Sequence, residues 1–349
     1  MLPDWEWQVL SLPPRYFSWR IRGNPLYWSL AEREVLERHY DLLVATSMVD
    51  LATLRGLVPA LAAIPTALYF HENQFEYPQG RQQHGLLEAQ MVSLYSALAA
   101  DRLLFNSQYN LDSFIAGCTR LLGKMPDHVP GGIEKMLCER ATVLPVPLTQ
   151  EGVVQAGWPG VQGNYPQRPL RLLWSARFEH DKGGQLLLQI LQQLETCELE
   201  YELALTGQQF RNSPAVFNEI EQNFAHRLVQ FGYVTSAEEY AQLQHGADLV
   251  ISTAEHEFQG LAVLQAVRAG CLPVVPGRLA YPENYGQDFC YLSVPGDLEA
   301  EAHGAVELIL SLCASVARGE LAPDVSHFST ANLAGHYRKK LESLAAHVG

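Results

Sequence analysis

Residues 252–270 read STAEHEFQGLAVLQAVRAG. The apolar run ADLVIST leads into an acidic turn, EHEFQ, and then into GLAVLQAVRAG, whose spacing predicts a helix closing at Gly270. The start of such a helix presents the amides of Phe258, Gln259, Gly260 and Leu261 together with a partial positive charge. That combination suits a phosphate or diphosphate, and a glycine at 260 lets an anion approach the backbone. Glu257 would spoil such a site unless it faced another group, and a carboxylate beside a diphosphate is well placed to grip the hydroxyls of an attached sugar. From Glu257 to Gln265 is about 12 Å of helix axis, the reach from a hexose across two phosphates to a ribose. The other use of acids at this point is to cap the helix.

A second charged stretch, LRLLWSARFEHDKGG, places Arg177 just after an apolar run and Lys182 at the entry to the helical pattern QLLLQILQQL. Two cations converging beyond a strand end can stabilise a leaving diphosphate without a metal. They can equally pair with Glu179 and Asp181. In the first half of the chain, His71 follows the run PTALYF, where a lone histidine is either functional or a satisfied structural residue. Its neighbours Asn73, Gln74 and Tyr77 can bond to or stack on an acceptor, or serve the turn. The segment PPRYFSWRIRGNP interleaves Arg15, Arg20 and Arg22 with Tyr16, Phe17 and Trp19, a mixture suited to phosphates and base faces, or to a strand edge or packed hairpin. Lys124 and His128 in GKMPDHVPGG offer a second surface of that kind. No DxD-type or HExxH-type ligand set is present, so no catalytic metal is expected.

The elements that must hold these residues follow from the rhythm of the chain. Apolar runs WQVLSL (7–12), DLLVATS (41–47), PTALYF (65–70), DRLLFNS (101–107) and ATVLPV (141–146) alternate with helical spacing. The rhythm stops over 149–169, a Gly-, Pro- and Gln-rich stretch expected to be a linker. It restarts with LRLLWSARF (170–178), YELALTG (201–207), RLVQFGYV (227–234), ADLVIST (247–253) and CLPVVP (271–276). The predicted fold class is α/β: two Rossmann-like, doubly wound parallel-sheet domains with a cleft between them, over 1–148 and 170–320. An amphipathic closing helix within 321–349 caps the fold or crosses back to the first domain. Ligands of such sheets lie beyond the carboxyl ends of the strands, where the residues singled out above fall.

With 349 residues, 48% of them hydrophobic, the chain is long enough for two cores. Its net charge of −14 lies mostly after residue 148, so a broad nucleic-acid-tracking surface is not expected and any contact with nucleic acid falls to the first half. The opening MLPDWEWQVL lacks the cations of a signal peptide, and no apolar run reaches the roughly 18 residues of a membrane span, which predicts a cytoplasmic protein. Six cysteines without C-x-x-C spacing read as reduced packing residues.

The set SARFEHDKG, LALTG, FGYVTSAEEYAQLQHGADLVISTAEHEFQGLAVLQAVRAGCLPVV and YPE resembles the donor half of the family-four retaining GT-B glycosyltransferases. LYFHENQFEYP, FNSQYNLDSF and MPDHVP resemble, more narrowly, the tRNA-queuosine α-mannosyltransferase group. The resemblance implies that Arg177 and Lys182 clamp the donor diphosphate, that Glu257 grips the hexose, and that the amides of Phe258 to Leu261 cradle phosphate. Gly207 and Tyr233 fall in its donor motifs, and His71 lies over the reacting sugar. Asn73, Gln74, Asn106, Arg20, Arg22 and His128 are the corresponding candidates for the acceptor. Implied with them is a metal-independent transfer of a hexose, mannose from GDP-mannose, to queuosine in the tRNA anticodon loop, with the nucleotide sugar as co-substrate and no other cofactor. Other acceptors (a lipid, a polysaccharide end, a small molecule) and a non-catalytic nucleotide-sugar or tRNA binding protein are the rival readings. Two departures bear on them. Gln265 stands where the family has a ribose-holding carboxylate, and the family's first strand and glycine-rich loop are not found ahead of WQVLSL.

Overall fold

The computed structural model describes residues 2–13, 16–76, 86–149 and 155–346. The chain forms two compact units, Met1–Pro147 with Thr330–Gly349, and Leu148–Ser329.

In the first unit, four parallel strands, β1 (Leu43–Thr46), β2 (Thr66–Phe70), β3 (Arg102–Phe105) and β4 (Ala141–Val143), lie in the order β1-β2-β3-β4. Every residue of β2 is buried, which is why TALYF is an unbroken apolar run rather than an alternating one. Phe70, Phe105 and Phe114 stack at the centre of this core, the first two with ring centroids 4.5 Å apart. The helix Gln108–Leu122 starts where Ser107 accepts a hydrogen bond from the Asn110 amide at 3.0 Å.

Two expectations fail here. WQVLSL forms no strand. Trp7 and Val9 are exposed, and only Leu10 of the run packs against the core, so the segment lacks the two buried faces that a covered strand requires. The basic and aromatic segment is neither a strand edge nor a hairpin but enters the helix Phe17–Ala31, with Pro25 inside it. Proline cannot donate to the Ile21 carbonyl one turn back, and the Asn24 side chain does so instead, at 3.3 Å, while also bonding Arg20 O at 2.7 Å and Met48 O at 3.0 Å.

The helix Thr330–Ala345 belongs to this first unit. Its Leu341 and Leu344 complete an apolar cluster with Leu2, Ala67, Tyr69, Leu104 and Leu144.

The second unit has six parallel strands, β5 (Leu170–Ser175), β6 (Tyr201–Thr206), β7 (Leu228–Gly232), β8 (Leu249–Ile251), β9 (Leu272–Pro276) and β10 (Cys290–Tyr291), in the order β10-β9-β8-β5-β6-β7. Alternate side chains serve opposite faces: Leu172 and Trp174 pack with the helices Gly184–Leu194 and Leu298–Arg318, whereas Leu173 packs with the helix Leu261–Arg268. Residues 155–169 are irregular but not a free linker. Trp158 is buried and donates to Glu202 at 2.7 Å, and Arg168 grips Asp248 through both terminal nitrogens at 2.6 and 2.7 Å.

The expectation that no segment could span a membrane also needs correcting. Leu298–Arg318 is long and apolar enough by length and composition, with a mean hydropathy of 1.3. In the fold its Ala302, Ala305, Val306 and Ile309 face the core, and its apolar character is spent there. All six cysteines are free thiols, with Cys118 and Cys271 buried and Cys138 exposed.

Candidate active site

The strand order of the second unit reverses between β5 and β8, and the loops leaving these two strands diverge to open a crevice at their carboxyl ends. Both charged stretches sit there. After β5 the chain passes Arg177, buries Phe178 and makes the short turn His180–Lys182. Gly183 ends this turn at φ 68°, and a Cβ there would lie 1.8 Å from Thr253 O, so only glycine lets the turn press against the β8 loop. Thr253 fastens the contact by accepting from Trp174 Nε1 at 3.0 Å and donating to Lys182 O at 2.8 Å. Asp181 O accepts the amides of Glu255 and His256 at 2.9 and 3.3 Å.

These contacts aim Lys182. Its ammonium is largely buried, donates to His256 O at 2.8 Å, and lies 3.1 Å from Asp181 Oδ2 and 3.7 Å from Glu257 Oε2. Burial alone would raise the Asp181 carboxyl, but its hydrogen bond with His256 and the charge of Lys182 outweigh that and hold it at about 2. Lys182, Glu257, Gly260, Ser252, Thr253 and Tyr281 are among the residues lining an open hollow of about 290 Å³. The Tyr281 and Ser252 hydroxyls hydrogen-bond at 2.6 Å on its wall.

The other donor-side candidates are placed less uniformly. Arg177 is 58% exposed and pairs with Glu179 at 3.0 Å, the alternative that its neighbours left open. The Glu257 carboxylate accepts from the amides of Phe258 at 3.0 Å and Gln259 at 3.4 Å, so two of the amides expected to cradle phosphate carry an internal cap. Gly260 is left-handed at φ 76° and opens the helix Leu261–Arg268, one residue ahead of Leu261. Glu257 therefore lies in the turn before the helix. Gln265 is half-buried in its second turn. Gly207 and Tyr233 follow β6 and β7 on the same carboxyl edge, with Tyr233 exposed, but neither lines the hollow, nor do Arg177 and Gln265. Sequence reasoning missed Thr253, and it read Asp181 only as a rival partner for cations. A hydroxyl and a carboxylate within two charged loops carry no periodic signal, and only the approach of the loops shows what they do.

In the first unit His71 directly follows β2. Its ring is exposed on one side, lies against Tyr69 with centroids 4.6 Å apart, and has its pKa lowered by desolvation. The candidates around it face inward, contrary to an acceptor role. Asn73 is buried, and its side chain is spent on Asn110, Ser113 and the Phe75 amide. Gln74 is buried, and Asn106 is buried and donates to His71 O at 2.8 Å. Arg22 pairs with Asp50 at 2.9 Å, and Arg20 is half-buried with its Nε enclosed. His128 projects into solvent beside Asp127. Arg15, Tyr77 and the Phe17 side chain lie outside the described residues. Among the described residues, no group of three or more His, Cys, Asp or Glu gathers as a metal site.

Known proteins agree with this geometry. Residues 2–148 match the family described as tRNA-queuosine alpha-mannosyltransferase N-terminal, and residues 169–311 match glycosyl transferases group 1. A tRNA-queuosine alpha-mannosyltransferase of Drosophila melanogaster is 34% identical over 288 residues, covering 81% of this chain and 75% of the relative. Sucrose-phosphate synthase from Thermosynechococcus elongatus superposes with a TM-score of 0.70 at 15% identity, over 96% of this chain and 81% of that one. Anabaena HepE, solved in complex with UDP, superposes with a TM-score of 0.61 at 15% identity, over 93% and 82%. Two parallel-sheet α/β units with charged loops at a strand-order reversal make this chain a GT-B glycosyltransferase. Within that class it belongs to the tRNA-queuosine alpha-mannosyltransferase family.

Proposed function

We propose that this enzyme transfers mannose from GDP-mannose, with retention of configuration, to a hydroxyl of queuosine in the anticodon loop of a cytoplasmic tRNA. The observation that carries this reading is the 34% identity, over 81% of the chain, to a protein of that name. The meeting of Lys182 with Glu257 at the strand-order reversal is consistent with it.

In the reaction the bond from the sugar C1 to the diphosphate oxygen breaks, and a bond from C1 to the acceptor oxygen forms on the same face. The acceptor proton passes to the departing phosphate oxygen. Lys182 neutralises the charge that develops on the diphosphate, and Arg177 joins it by exchanging Glu179 for phosphate. Glu257 turns from its capping position to the sugar hydroxyls, which releases the Phe258 and Gln259 amides to the phosphates. His71 holds the sugar from the first unit, and Gln265 faces the ribose. Positioning and charge stabilisation supply the rate, with side chains as the cations.

The test is sugar transfer from radiolabelled GDP-mannose and UDP-glucose to tRNA prepared with and without queuosine. Labelling from GDP-mannose only where queuosine is present is expected. Equal labelling of both tRNAs, or of neither, overturns the acceptor, and preference for UDP-glucose overturns the donor.

A further inference from the structure

The strand that delivers His71 outruns its ladder, and buried side chains take over the bonding of its backbone. β2 and β3 stop pairing at Phe70 and Phe105. Beyond that point Phe70 O accepts from the Asn106 amide at 3.3 Å and from Asn110 Nδ2 at 3.0 Å. His71 O accepts from Asn106 Nδ2 at 2.8 Å, and from the opposite side Ser47 Oγ donates to Glu72 O at 3.0 Å. Three successive carbonyls are thus each gripped by a residue from a neighbouring strand end or helix start.

The grips are themselves braced. Asn110 Nδ2 also donates to Asn106 Oδ1 at 2.8 Å, which sets the orientation of the Asn106 amide so that its nitrogen faces His71. Asn73 Nδ2 in turn donates to Asn110 Oδ1 at 2.9 Å and to Ser113 Oγ at 2.9 Å, and its own oxygen accepts the Phe75 amide at 2.9 Å. All three asparagines are at least nine-tenths buried. An exposed turn would satisfy the same carbonyls with water. A buried network with every member bonded holds one conformation, and the residue left at its open end is the exposed imidazole of His71.

We infer that Asn106, oriented by Asn110, is a positioning residue for His71: its amide fixes the His71 carbonyl and so aims the imidazole at the transferred sugar, instead of contacting the acceptor itself. The inference rests on the role proposed for His71 above. It also explains why HENQ and FNSQYN accompany each other in one chain, since each supplies half of the network.

Asn106→Asp keeps the oxygen that Asn110 bonds and removes the donor to His71 O. The expected result is a loss in kcat of about 100-fold with the donor KM within about twofold of the parent, the signature of a displaced reacting group with intact ground-state binding. The double variant His71→Ala/Asn106→Asp is expected to be no slower than His71→Ala alone. Multiplicative losses overturn the inference, because they place Asn106 in independent contact with substrate. NMR of histidine-labelled protein supplies a readout apart from activity: Asn106→Asp shifts the His71 ring signals and leaves those of His226 in place, and an unmoved His71 signal also overturns it. Should His71→Ala retain full activity, the role of His71 in transfer falls, while the NMR arm still decides whether Asn106 sets the ring. If Asn106→Asp does not fold, Asn106→Ser takes its place in each measurement, with the same outcomes deciding.

Discussion

Lys182 is the residue on which the donor site turns, because it is a largely buried cation answered by two carboxylates and a carbonyl and lies at the mouth of the hollow. Replacing it with alanine removes the charge that meets the diphosphate, so we expect Lys182→Ala to lower kcat by about 10²–10³-fold, read in single-turnover transfer at saturating tRNA. Asp181 makes its contribution through pH. Its folded pKa of about 2 lies below the ordinary 3.8, so its stabilisation is complete above pH 4 and is lost as pH falls from 4 toward 2, by about 2 kcal/mol in all. Urea unfolding across that window should show a steeper acid loss in the parent than in Asp181→Asn. Gln265 offers one acceptor oxygen where a carboxylate offers two, and Gln265→Glu should lower the donor KM by about tenfold, the equivalent of one charge-assisted hydrogen bond. Residue types and spacing were enough to single out Lys182 and Glu257. They could not separate them from Arg177, which differs only in where its loop turns it.

At the scale of elements, the approach of the β5 loop to the β8 loop depends on Gly183. Gly183→Ala adds backbone strain of about 1–3 kcal/mol and drives a methyl into Thr253 O, so the loops must part. We expect GDP binding, measured by calorimetry, to weaken by about tenfold or more while the helical signal is kept. Most strands were legible as apolar runs because a sheet covered on both faces buries every residue of a strand such as β2. WQVLSL has the composition of a strand but no neighbour to bond, and composition does not report neighbours. The helix Phe17–Ala31 was hidden by Pro25, whose missing donor is replaced by a side chain that makes sense only once the helix exists.

For the whole molecule, the last helix returns to the unit formed by the first 147 residues. Tyr337 stacks on Tyr69 with centroids 6.4 Å apart, and Arg338 pairs with Asp4 across the two ends of the chain. Leu341→Ala should cost about 2–5 kcal/mol, and hydrogen exchange should then speed up in β2 and β3 while β5 and β8 keep their protection. The sequence by itself determined the α/β class, most of the strands, and which charged residues stand at their carboxyl ends, because periodicity and local composition are properties of short stretches of chain. Only the tertiary structure decided that Lys182 meets Glu257 while Arg177 turns to solvent, that Asn73 and Asn106 face inward, and that the final helix belongs to the first unit. Each of those outcomes depends on a contact between residues far apart in the chain, and a side chain's direction follows from the surface that packs against it.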